Sequence, residues 1–139
     1  MGECDAQRFS ALKTAEQELL QFKADFARAV LGNRPCNPEA LAMAANALTA
    51  LGYYADGLEF DRRLYALRPR DPVVVYNLSC SLALVNDRDA AFAMLEEAID
   101  LGYSDAAQMR QDPDWEKVRE LPRFQELLAR AEDKHKAQG

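Results

Sequence analysis

Apolar positions recur at helical spacing along almost the whole chain, in blocks separated by Gly, Asn and Pro. The first block runs from Asp5 to Leu31 without a Gly or Pro. It places Phe9, Leu12, Leu19, Phe26 and Val30 on one stripe, with Leu20 and Ala27 beside it. This predicts one long helix, closed by Gly32-Asn33-Arg34-Pro35, which combines residues tolerant of a left-handed turn with a ring that cannot continue a helix. Phe22 falls off the stripe, so more than one face of this helix is expected to be covered.

The next two blocks match each other at an offset of 34 residues. Pro38 pairs with Pro72, Leu41 with Val75, Ala44 with Leu78, Leu48 with Leu82, Gly52 with Asn86, and Leu58 with Phe92. Each block reads as a helical hairpin, with helices near 38–51, 55–67, 72–85 and 89–101. Asn37 and Asp71 are N-caps, each followed by a proline at the first helical position, where no amide donor is needed. Gly52, Asn86 and Gly102 close helices because they tolerate positive φ. A fixed period of this kind is the mark of stacked helical hairpins.

Beyond residue 105 the register fails, because Asp112-Pro113 falls where an apolar and a mid-helix residue belong. The third unit is therefore expected to have a short helix, Ser104 to Gln111, and an irregular turn, Asp112 to Leu121. A last helix from Pro122 carries Phe124, Leu127, Leu128 and Ala131 on one face. A deviant terminal unit suits a cap, with Trp115 and Leu121 plugging the open end of the core. The tail Glu132 to Lys136 is expected to fray.

The fold class predicted is all-α: one domain made of a helix (1–34), two repeats (38–71 and 72–105) and a degenerate cap (106–139). At 49% hydrophobic and 29% charged, the 139 residues form a globular chain. No apolar run is long enough to cross a bilayer, and the start lacks the layout of a signal peptide, which points to a cytoplasmic protein. The net charge of −6 disfavours nucleic acid. The acid is concentrated in 72–105, where Arg88 stands alone against six acidic side chains. That patch reads as a solvated face or, more sharply, as a site for a basic partner.

Three cysteines without a CxxC pair argue for free thiols rather than a disulfide framework or zinc site. The one histidine, His135, lies in the expected tail, and no phosphate-binding glycine loop is present. The acidic group Asp105, Asp112, Asp114 and Glu116 lacks calcium-loop spacing and reads as capping of short helices. No catalytic residue, metal or cofactor is expected.

The 34-residue period, the small residues where paired helices would touch (Ala44, Ala45, Gly57; Ser79, Ala91, Ala98), Gly52, Tyr54 and Pro69 together resemble the tetratricopeptide-repeat family. The segments Tyr76 to Cys80, Asp112 to Trp115 and Pro122 to Gln125 look like the closing part of short bacterial members. The resemblance implies a right-handed superhelix whose concave groove, lined by the first helix of each pair, binds peptides or helices of other proteins without catalysis. Carried onto this chain, the groove residues are Met43, Asn46, Val73, Tyr76, Asn77, Cys80 and Leu84, with Tyr76 as the chief anchor. Ala42 replaces the lysine of the family's carboxylate clamp, so an apolar or amphipathic segment is the partner expected. The alternatives are a small export or assembly chaperone for a hydrophobic client, or a homodimer joined by the N-terminal helix. That helix either fills the groove or extends the stack and leaves the groove open.

Overall fold

The computed structural model describes residues 3–138, with side chains from residue 13 onward. Among these residues there are seven helices and no strand: α1 (Glu3–Asn33), α2 (Pro38–Ala50), α3 (Tyr54–Leu67), α4 (Pro72–Leu84), α5 (Arg88–Asp100), α6 (Ala106–Gln111) and α7 (Pro122–Gln138). A 3₁₀ turn, Pro113–Trp115, lies between α6 and α7. The boundaries follow the local chemistry. Asn37 accepts from the Ala40 amide at 2.9 Å, and Asp71 from the Val73 amide at 3.0 Å. Gly52 (φ 92°), Asn86 (φ 65°) and Gly102 (φ 121°) make the left-handed turns. The chain divides into two compact units, Met1–Phe60 and Asp61–Gly139, with the boundary inside α3.

In the first unit, α1 packs along α2. The buried stripe of α1 is Ala24, Ala27 and Leu31, with Leu20 half-buried; Leu20 and Phe60 pack against Ala24, Ala47 and Leu48. This corrects the expected stripe: Leu19 and Phe26 are exposed and Val30 is half-buried. The reason is steric, since alanines on both helices let the backbones approach closely, which a Leu or Phe would prevent. Phe9 and Leu12 lie outside the described side chains. The α2–α3 hairpin is equally tight. A Cβ on Gly57 would sit 2.3 Å from Thr49 Oγ1 and 3.2 Å from the Ala45 carbonyl oxygen.

In the second unit, α4 packs on α5, and α7 lies against α5 and α6. Ser79, Ala91 and Ala98 are buried. Trp115 is fully buried, its ring centroid 5.4 Å from Phe124, 6.4 Å from Phe92 and 6.4 Å from Tyr76. Leu121, expected beside it, is half-buried. The expected fraying of 132–136 is also corrected. These residues are helical, and the Lys134 ammonium donates to the Ile99 carbonyl at 2.5 Å.

Candidate interaction surface

Within the first unit, α1 rests on the Ala47 and Leu48 side of α2. The opposite face of α2 is therefore uncovered: Met43 and Asn46 are exposed, and Ala42 and Thr49 half-exposed. The side chains there are short except for Met43, a flexible thioether that adapts to varied apolar surfaces.

The equivalent face of α4, in the second unit, is mostly filled by the chain itself. Tyr76 and Cys80 are buried, at 4% and 5% exposure, which corrects their assignment to an open groove. The Tyr76 ring stacks on Tyr103 at 4.1 Å and 7°. Its hydroxyl donates to Asp112 Oδ2 at 2.8 Å and accepts from Trp115 Nε1 at 3.1 Å. The Cys80 thiol donates to the same Asp112 oxygen at 3.6 Å. Asp112 Oδ1 takes the Asp114 amide at 3.0 Å, and its carbonyl takes Arg119 Nη2 at 2.6 Å. Every acceptor of Asp112 is thus engaged, as a buried carboxylate requires. Val73 remains 55% exposed, and Asn77 and Leu84 are half-exposed.

Asp112, Trp115 and Tyr103 are the residues that pattern reading missed as a set. The available signal was the register break at Asp112-Pro113. The capping expectation was sound as far as it went: Asp105 caps α6 through the Gln108 amide, and Asp112 caps the 3₁₀ turn.

Cys80, Asp112 and Asp114 place one ligand atom each within 4.8 Å of one another, the spacing a metal site uses. A metal would need the thiolate. Burial pushes the Cys80 thiol well up, and the neighbouring Asp112 and Asp114 charges push it further. Burial, then the Asp112 charge, raises Asp114 to about 6. Through the hydrogen bonds that Asp112 accepts from Tyr76 and Cys80, the cluster joins α4 to the turn after α6.

The acidic surface of the second repeat meets basic side chains of the same unit. Arg123 and Arg130 both pair with Glu96, Arg130 Nη1 at 3.1 Å, and Arg130 Nη2 reaches Asp100 at 2.8 Å. The Arg130 hydrogen bond, then the Arg123 charge, lowers the Glu96 carboxyl. Cys36 is exposed, Cys80 buried, and both are free thiols; Cys4 lies outside the described side chains. Among the described residues no helix is long and apolar enough to cross a membrane.

Fold and surface together define an all-helical protein of packed helical hairpins. No family model matches the chain. An alignment of 80 positions that covers 55% of this chain is 34% identical to a chloroplastic protein of Arabidopsis thaliana. The match spans 24% of that protein, about a quarter of its length.

Proposed function

We propose that this chain is a non-catalytic protein-interaction module of the tetratricopeptide-repeat type, working in the cytoplasm. It takes an apolar or amphipathic segment of a partner protein on the outer face of α2. One observation carries the reading: Met43 and Asn46 stay exposed, flanked by the half-exposed Ala42 and Thr49, while Leu41, Ala44, Ala45, Ala47 and Leu48 on the other side of α2 are buried. Met43 supplies apolar area, and the Asn46 amide can donate to and accept from a partner backbone. Val73 and Asn77 at the start of α4 offer a second, smaller patch. The repeated caps and the Gly57 approach support the repeat reading.

The test is selection of binding peptides from a random displayed library, followed by titration against variants. Met43→Glu and Asn46→Ala should each weaken the selected peptides, with helical content unchanged by circular dichroism. Binding that survives Met43→Glu, or a library that yields no binder, would remove the α2 face from consideration.

A further inference from the structure

α1 carries two apolar stripes. One is the row that faces α2, the half-buried Leu20 with the buried Ala24, Ala27 and Leu31. The other is Ala15, Leu19, Phe22, Phe26 and Ala29, roughly 140° away on a 3.6-residue helical wheel. All five residues of the second row are exposed, Leu19 at 53%, Phe22 at 64% and Phe26 at 52%, and the Phe22 and Phe26 rings stack at 6.2 Å. Their steps alternate four and three along the sequence. That is the 3.5-residue repeat of a coiled-coil seam, with Leu19 and Phe26 at a positions and Ala15, Phe22 and Ala29 at d positions. From Lys13 to Leu19 every residue is exposed, so this stretch of α1 has an uncovered surface all around.

The flanking charges select the occupant. Glu18 and Asp25 stand at g positions, Glu16 and Lys23 at e positions, and all four are exposed. In a parallel pairing of two copies, each g residue faces the e residue five places on in the partner. Glu18 then meets Lys23 of the other copy, twice by symmetry, and Asp25 meets the apolar Val30. In an antiparallel pairing centred on the Phe22–Phe26 stretch, g faces g and e faces e. That sets Asp25 near Asp25 and Lys23 near Lys23, both repulsive.

We propose that this chain forms a parallel homodimer through the outer stripe of α1, with Leu19, Phe22 and Phe26 as the buried layers. The surface is separate from the Met43 face of α2, so either can fail alone.

The test is sedimentation of the full chain over a wide range of concentration. The expected result is a concentration-dependent rise from 15.6 kDa to twice that mass. Phe22→Glu should weaken association by on the order of thirtyfold or more, as loss of an interface anchor does. Glu18→Lys alone and Lys23→Glu alone should each weaken it, while the double exchange, or an equimolar mixture of the two single variants, restores it. A chain that stays at 15.6 kDa throughout, or doubles regardless of Phe22→Glu, overturns the proposal. So does a double exchange that fails to restore pairing, because the parallel register requires Glu18 opposite Lys23.

Discussion

The Tyr76 hydroxyl donates to Asp112 Oδ2 at 2.8 Å across 36 positions of chain, and with this bond the C-terminal part of the second unit closes over α4. Burial holds the phenol far above its ordinary range, so it remains a donor at any working pH. Tyr76→Phe keeps the stack on Tyr103 but leaves Trp115 Nε1 without its acceptor and Asp112 Oδ2 with only the weak Cys80 thiol. The expected cost is about 1–3 kcal/mol, the penalty of buried unpaired polar groups. Urea unfolding measures it. Tyr76→Glu sets a second carboxylate beside Asp112 and should unfold the second unit, seen as loss of the buried Trp115 fluorescence. A folded Tyr76→Glu variant would mean that Tyr76 is reachable from solvent after all.

At Gly57 two effects oppose each other. Alanine in a helix interior is favoured over glycine by about 1 kcal/mol. Here the added Cβ would meet Thr49 Oγ1 at 2.3 Å and backbone atoms at 3.2 and 3.3 Å. A threonine side chain is stiff in a helix, and the backbone contacts cannot be relieved by a rotamer change. Overpacking of this kind costs about 1–3 kcal/mol, so Gly57→Ala should be destabilising. Adding Thr49→Ala removes the shortest contact and should recover part of the loss. Equal or greater stability of Gly57→Ala in a denaturant titration would show that the helices separate easily.

The hairpins were legible because their signals are local. Pro38, Pro72, Gly52, Asn86 and Gly102 each impose a backbone constraint that neighbours cannot override, so the helix limits differ from expectation by about a residue. The surface was less legible because exposure depends on distant chain. Tyr76 and Cys80 sit at positions that face outward in an isolated hairpin, and their cover comes from Tyr103, Asp112 and Trp115. In α1 the difficulty was a competition between two stripes. Size favours Leu19 and Phe26 as core, whereas the close α1–α2 approach selects Ala24 and Ala27. Met43 and Asn46 lie where their position in the hairpin put them, because α1 approaches α2 from the other side.

Asp61 is a buried carboxylate in α3, accepting a hydrogen bond from Ser81 Oγ. Burial raises it from 3.8 to about 6; the Ser81 bond partly opposes this, and the Asp114 charge adds to it. A folded-state value above the unfolded one means that the folded state holds the proton more tightly. Stability from this group should therefore increase as pH falls through about 6, reach its full value below about 4, and be lost as pH rises again. Asp114, also raised to about 6, acts in the same direction. Glu96 is lowered by Arg130 and Arg123 and opposes them at more acidic pH. The melting temperature should thus rise between about pH 7.5 and about pH 5 and then fall. Asp61→Asn removes the charge and keeps an acceptor for Ser81. It should flatten the rise and raise stability at neutral pH by on the order of 2 kcal/mol, since a tenfold change in proton affinity is worth about 1.4 kcal/mol. An Asp61→Asn variant less stable than the parent at neutral pH would mean that the ionised carboxylate, not the protonated one, is the form the fold prefers.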